Sequence, residues 1–492
     1  MPEPGPSAIG SLEIATREGI VQGVLIDATR AFLGIPYVAP PVGELRWAHP
    51  RPHEPWLAPL PAITLGPRCP QTDVTGQPGG DEDCLTLNVW TPERLDAPAP
   101  VMVNLHGGAF ARGTSSNPGR DGQRLSEATG AIIVSINYRL GLFGFFADSA
   151  LISEDPTQPS SGNYGFEDQR AALEWVQTNI AAFGGDPGNV TLFGESAGAT
   201  SASLHMLSPL ATGLFQRAIL ESGDYEGGLV PAGASQAQSA SLTEAAGCGE
   251  APDRMACLRS RSALELLNAE PTDASWGPTR DDWNIPNCAS QQLDASCIAS
   301  PVPVVLGTNL NEWEFFFATG FSTPVDDAGY LTMMDGMFAG QAAAITAEYP
   351  STSFASPRKA AADVFTDGLY VCPARRFARA LEGAGVPVFL YSFNHAPVSP
   401  MFPDAGAFHT AEVAFVFGTP LWGIQLDAQE QALSRTMMGY WGRMAANGNP
   451  NGAGAPAWPA FDSTDASILL DLSVSTTTRW KNARCDFWDA LP

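Results

Sequence analysis

Phe193-Gly194-Glu195-Ser196-Ala197-Gly198 is the stretch whose surroundings decide the fold. Ahead of it, Asn189-Val190-Thr191-Leu192-Phe193 is strand-like, while residues 196–206 behind it are Ala-rich and lack proline. A strand therefore runs into a helix at the serine. Gly194 and Gly198 let the neighbouring backbone close in, and Ser196 is expected in a strained conformation that exposes its hydroxyl. The helix that starts there offers unpaired N–H groups to a developing negative charge. With 49 glycines among 492 residues, the chain meets such a pattern by chance often enough that context must decide. A glycine-rich turn with a capping serine is the plainer reading of the same residues.

Working outward, short and nearly uncharged apolar runs at residues 101–105, 131–136, 190–193, 217–220, 303–306 and 388–393 read as buried strands. Amphipathic segments lie between them. In residues 166–183, Leu173, Val176, Ile180 and Phe183 recur at spacings of three and four, giving one buried helical face. This alternation predicts an α/β fold, a large and mostly parallel sheet covered by helices on both sides. Pro- and Gly-rich stretches at 92–100, 223–233, 396–406 and 447–459 read as surface excursions, and no repeat of solenoid or propeller length occurs. Residues 1–492 are therefore expected to form one catalytic domain. Residues from about 225 to 300 and from about 320 to 385 are expected as helical insertions, the first of them over the strand ends.

Acidic residues outnumber basic ones by 52 to 26, for a formal charge of -26, and the only lysines are Lys359 and Lys481. Such a surface repels nucleic acid and anionic membranes. It reads as a solvated acidic surface, with steering of a cationic substrate as the alternative. No apolar run approaches the roughly 18–20 residues of a membrane-spanning helix. Eight cysteines include two close pairs, Cys248/Cys257 and Cys288/Cys297, and no CxxC spacing, which suits disulfides better than zinc but leaves their connectivity open. Residues 1–10 lack the basic start and apolar stretch of a signal peptide. The two signals are reconciled by a removed leader and a secreted or periplasmic location; a cytoplasmic enzyme with free thiols is the alternative.

An acyl-transfer site needs donors for a tetrahedral oxyanion, and His106-Gly107-Gly108-Ala109-Phe110 supplies backbone amides directly after a strand. The amides of Gly108, Ala109 and Ala197 are assigned as the oxyanion hole. A tight loop that merely ends the strand is the competing reading. In this fold the acid and the base follow the serine in that order, which sets His106 aside. Of the six histidines, only His395 and His409 remain late enough in the chain to serve as the base.

Phe32-Leu33-Gly34-Ile35-Pro36-Tyr37, Pro40-Pro41-Val42-Gly43, Glu82-Asp83-Cys84-Leu85, Gly162-Asn163-Tyr164-Gly165 and Asp168-Gln169-Arg170 accompany the serine motif. With them the chain resembles, over nearly its whole length, the type-B carboxylesterase family of α/β-hydrolases, and is closest in character to its bacterial members. The resemblance implies a serine carboxylic-ester hydrolase that forms a covalent acyl-enzyme without metal or organic cofactor. Gly307-Thr308-Asn309-Leu310-Asn311-Glu312 resembles the family segment that carries the acid, nominating Glu312 over its rival Glu314. The context of His409 resembles the family's histidine segment, leaving His395 as structural. A His409–Glu412 helical pair or metal site is the other reading of HxxE. The resemblance also places Glu195, Ser222 and Asp367 at buried polar positions near the site, and implies buried ion pairs Arg46–Glu82 and Arg139–Asp168.

The same resemblance implies disulfides Cys69–Cys84, Cys248–Cys257 and Cys372–Cys485. Cys288–Cys297 has no family precedent and is added as a fourth because the pair could close a small loop. Residues 69–84 lack the tryptophan that binds quaternary ammonium in cholinesterases, so dedicated choline esters are not expected. Thr272, Ala274 and Trp276 fall where the family builds its acyl pocket, and the first two are small. The expected substrate is a small to medium ester, with a bulky-ester specialist (polyester fragment, feruloyl or mycotoxin ester) or a lipase as alternatives. An adhesion protein on the same fold is the non-enzyme alternative. Monomer and dimer remain open.

Overall fold

The computed structural model describes residues 10–223, 225, 229–286, 295–324 and 326–491. Its centre is an eleven-stranded sheet. In chain order the strands are β1 (Val24–Ile26), β2 (Thr29–Pro36), β3 (Thr86–Pro92), β4 (Ala99–Leu105), β5 (Ile132–Ile136) and β6 (Gly185–Glu195). They continue with β7 (Arg217–Glu221), β8 (Val304–Asn309), β9 (Val388–Phe393), β10 (Ser467–Leu470) and β11 (Ser475–Thr477). Across the sheet the order is β11-β10-β9-β8-β7-β6-β4-β5-β3-β2-β1. Every pairing from β5 through β10 is parallel. The edges are antiparallel. All six predicted runs lie in the parallel centre, where a strand buried on both faces reads as continuous apolar sequence.

Alternation along the strands divides the core. Val101, Val103 and Leu105 of β4 pack on one side with Leu173 and Val176 of α2 (Tyr164–Asn179) and with Ala199, Ala202 and Met206 of α3 (Ala197–Leu207). Met102 of β4 and Ile133 of β5 face the other side, against α1 (Gln123–Thr129), α12 (Val413–Phe417) and α13 (Ala428–Asn447). The predicted helix over 166–183 begins at Tyr164, and its last turn, Ile180–Phe183, tightens to a 3₁₀ turn closed by Gly184. Its four periodic apolar residues are all buried.

Between β7 and β8 the chain leaves the sheet through α4 (Ala232–Ala245), α5 (Arg254–Ser260) and α6 (Ala263–Ala269). Between β8 and β9 it forms α7 (Glu312–Ala318), α8 (Asp327–Met337), α9 (Ala342–Glu348), α10 (Pro357–Thr366) and α11 (Cys372–Gly383) around a satellite apolar core. Disulfides join Cys69 to Cys84, Cys248 to Cys257, and Cys372 to Cys485; Cys288 lies outside the described residues. Arg46 forks onto Glu82 at 2.6 Å and also donates to the carbonyls of Leu258 and Arg261, tying the end of α5 to the main body. Arg139 meets Asp168 through two 2.8 Å hydrogen bonds, and both are buried.

At the end of β6 the backbones of β4 and α3 come so close that a Cβ on Gly198 would overlap the carbonyl of Leu105. Backbone on both sides leaves no flexible atom to give way. Gly198→Ala is therefore expected to destabilise the fold by about 1–3 kcal/mol, the range of core overpacking, as read by urea denaturation.

Candidate active site

Ser196 stands between the last residue of β6 and the first of α3 at φ 59° and ψ -126°, a region in which L-residues are strained. Its N–H donates to the Glu221 carbonyl at 2.8 Å, and its carbonyl accepts from Thr200 N–H at 2.9 Å. The residue is thus held by β7 on one side and by its own helix on the other. It faces a cavity of about 710 Å³, lined also by Ala109, Phe110, Ala197, Trp276 and Phe316. Residues of α4 and of the 271–277 segment line the same cavity.

The loop after β4 carries Gly108, Ala109 and Phe110, all at positive φ. Gly107 packs so tightly on Glu195 and Ser196 that a Cβ there would come within 3.0 Å of the Ser196 Cβ. Among the described residues, the N–H groups of Gly108 and Ala109 donate to no protein acceptor. Ala109 and Ala197 line the cavity, and Ala197 opens a helix whose first N–H groups have no intrahelical partner. His106 lies behind this loop, stacked on Tyr138 at 4.4 Å with Nδ1 2.9 Å from the Gly107 carbonyl. Burial pushes its pKa down to about 4, so it is a neutral wall.

His409 and Glu312 come together from different loops, with Nδ1 2.7 Å from Glu312 Oε2. Glu312 Oε1 accepts the Asn309 N–H at 2.6 Å, so both carboxylate oxygens are engaged. The two loops are stitched by the Asn311 N–H to the Ala407 carbonyl at 2.9 Å, and by the Asn309 side chain, which donates to the Phe408 carbonyl at 2.8 Å. Glu314 turns elsewhere, onto Arg358 at 2.6 Å. His395 pairs with Glu430 at 2.9 Å at the end of β9, as a structural residue would. The Nε2 of His409 makes no hydrogen bond among the described residues, to Ser196 or to any other group. Catalytic contacts of this kind commonly tighten only with substrate in place.

A model of the Carboxylesterase family matches residues 10–488. The chain belongs to the carboxylesterase family. It is similar to a medium-chain fatty acyl-CoA hydrolase precursor of Anas platyrhynchos, at 34% identity covering 97% of this chain and 92% of the relative. An acylcarnitine hydrolase of Mus musculus is 35% identical, covering 96% and 90%. Carboxylesterase 5A of Homo sapiens is 34% identical, covering 99% and 90%. The chain is accordingly a serine carboxylesterase on an α/β-hydrolase fold.

Around the histidine this carboxylesterase gathers four buried glutamates: Glu195, Glu221, Glu312 and Glu412. Glu195 Oε2 accepts from Arg120 Nη2 at 2.6 Å, while its Oε1 lies 3.2 Å from His409 Nε2. Glu412 accepts from Ser222 Oγ at 3.4 Å and from the Asn309 side chain. Burial, joined by repulsion from Glu195, Glu312 and Glu221, holds Glu412 protonated, well above the carboxylate range. Burial likewise raises Glu221 to about 8, against the hydrogen bond it accepts from Trp441 Nε1 at 2.8 Å.

Two expectations need correction. Thr272 is exposed in the turn after Pro271 and does not line the cavity; Pro271, Asp273, Ala274 and Trp276 do. Asp367 is buried, but its partners are Lys481 at 2.5 Å and the Tyr349 hydroxyl at 3.0 Å, in the satellite core. Arg120, Asn309, Glu221 and Trp441 were not singled out from sequence. Asn309 stood inside the acid segment, three residues before Glu312, and that proximity could have flagged it. No local pattern marks Arg120.

Burial opposes a charged His409, but Glu195 and Glu312 outweigh it and raise its pKa above the ordinary 6.5. The protonated form is favoured on folding, so this contribution to stability is full below 6.5 and is lost as pH rises through the folded value. A proton acceptor must be neutral, so the acid limb of kcat/KM is expected above pH 6.5. Glu312→Gln should move that limb down and cut kcat by about 10⁴-fold, as read from a pH–rate profile.

Proposed function

We propose that Ser196, His409 and Glu312 hydrolyse carboxylic esters by covalent acyl transfer, with the amides of Gly108, Ala109 and Ala197 as the oxyanion hole. The observation that carries this reading is the strained Ser196 facing the cavity beside the unpaired N–H groups of Gly108 and Ala109. His409 Nε2 takes the Ser196 proton as Oγ attacks the ester carbonyl. The negative charge on the carbonyl oxygen falls to the three amides, which need no reorganisation during reaction. His409 returns the proton to the leaving alcohol, and water then repeats the sequence on the acyl-enzyme. Glu312 holds Nδ1 and so leaves Nε2 as the acceptor, stabilising the imidazolium without taking its proton.

The substrate class follows from the cavity. Its volume of about 710 Å³ is that of a small-molecule site, and Asp273 is the one charged lining residue among those described. Uncharged esters with small to medium acyl chains fit best. One relative carries a name that refers to medium-chain fatty acyl-CoA, which favours the medium end of that range for this chain. Residues 1–492 would then work as one catalytic domain, with about 225–300 and 320–385 as insertions that shape the pocket. Three disulfides suit a secreted or periplasmic enzyme.

Kinetics on p-nitrophenyl acetate, butyrate and octanoate test the reading. Ser196→Ala is expected to lower kcat by about 10⁶-fold on all three. Turnover within tenfold of the parent would remove Ser196 from the mechanism. Ala274→Phe, which fills the acyl side, is expected to reduce kcat/KM for octanoate about tenfold more than for acetate.

A further inference from the structure

The proton acceptor of the reaction has a competitor beside it. His409 Nε2 must receive the Ser196 proton, yet Glu195 Oε1 lies 3.2 Å from that atom, and neither has a hydrogen-bond partner among the described residues. A buried carboxylate that swung fully onto Nε2 would hold the imidazole as an ion pair and withdraw it from the serine. Something must fix the carboxylate where it is.

Arg120 has the geometry to do so. It is buried, at 8% exposed, beside a Glu195 that is 1% exposed, and its Nη2 donates to Glu195 Oε2 at 2.6 Å. A guanidinium stays charged at any working pH. The turn that bears it, Pro118–Arg120, is built in: Asn117 caps the Gly119 N–H at 2.9 Å, and the Gly119 carbonyl accepts from Thr419 Oγ1 at 2.7 Å. Arg124, in α1, donates to the Gly418 carbonyl at 2.8 Å. Residues 418 and 419 directly follow α12, which itself follows His409 in the chain. The cation and the base are thus referenced to the same segment.

The titratable groups around His409 are Glu195 from β6, Glu221 from β7, Glu312 from α7, Glu412 beside α12, Tyr370 from the turn between α10 and α11 with its ring 5.2 Å from the imidazole, and the Tyr138 and Tyr391 hydroxyls behind the glutamates. Among the described residues, no second arginine or lysine pairs with any of these four carboxylates. Arg120 also acts on the histidine through space, opposing its protonation while Glu195 favours it.

We propose that Arg120 is a positioning residue that, by gripping Glu195 Oε2, sets the approach of Glu195 Oε1 to His409 Nε2 and keeps that nitrogen available to Ser196. The proposal rests on the assignment of Ser196 and His409 above. A purely structural role, neutralising one buried acid, would cost stability when broken and would move the base only through the loss of one charge, so a variant that keeps the charge would leave kcat alone.

The test is a set of pH–rate profiles on p-nitrophenyl butyrate for the parent enzyme, Arg120→Lys, Arg120→Met, and Arg120→Met combined with Glu195→Gln. Arg120→Met is expected to move the acid limb of kcat/KM up by about one pH unit and to lower kcat about tenfold, with KM within about threefold. The double variant buries no unpaired charge, and its limb should fall back to or below that of the parent, because Glu195 acts on the base more strongly than Arg120 does and the upward shift passes through Glu195. Arg120→Lys keeps the charge without the fork and should lower kcat several-fold. An unmoved limb in Arg120→Met overturns the proposal, as does a limb in the double variant that stays as high as in Arg120→Met. Where Arg120→Met does not fold, an unchanged kcat in Arg120→Lys overturns it equally. Full activity of Ser196→Ala in the same assay would instead sink the site assignment on which the proposal stands.

Discussion

The close approach of backbones around Ser196 is the constraint on which the rest depends. β4, the loop after it, the end of β6 and the start of α3 meet with no room for a side chain at Gly107, Gly194 or Gly198. Close packing forces Ser196 to positive φ, lifts its hydroxyl into the cavity, and sets the Gly108–Ala109 loop at its side. The strain of the turn is held by the sheet, through the hydrogen bond from Ser196 N–H to the Glu221 carbonyl. The proposed nucleophile and oxyanion donors are therefore products of one packing arrangement.

The second half of the site is electrostatic. Four buried glutamates surround one histidine and one paired arginine, a number of acids that could not all ionise in so little solvent. Glu221 and Glu412 respond by keeping their protons. Glu312 has a backbone N–H and the imidazole on its two oxygens, and Glu195 has Arg120 on one of its own. Both acids next to His409 thus have a fixed partner on the oxygen that faces away from it. The base is tuned upward by charges that cannot wander.

Much of this was legible in sequence, unevenly. The six central strands were readable because a parallel strand buried on both faces is a continuous apolar run; Val388–Phe393 matches its predicted bounds. The antiparallel strands Thr29–Pro36 and Thr86–Pro92 were not read as strands, since polar Thr29, Arg30, Asn88 and Thr91 interrupt them. Those residues are nonetheless buried, satisfied by long-range partners that no local pattern shows: Arg30, for one, reaches the Phe183 carbonyl at 3.3 Å. Ser196, Glu312 and His409 stood out through chain order and family likeness. Arg120, 75 residues from Glu195, had no such handle, because its partner is chosen by the fold. Thr272 failed for the opposite reason: a turn reverses side-chain direction within one residue, so alignment to a pocket lining says little about which neighbour faces it.

The central claim is that Ser196 is the atom carrier of the acyl group, and a fluorophosphonate probe tests it most directly. Digestion of the labelled enzyme and peptide mass spectrometry should find one adduct, on Ser196, and His409→Ala should abolish its formation. An adduct on any other residue, or inhibition with Ser196 unmodified, would contradict the account.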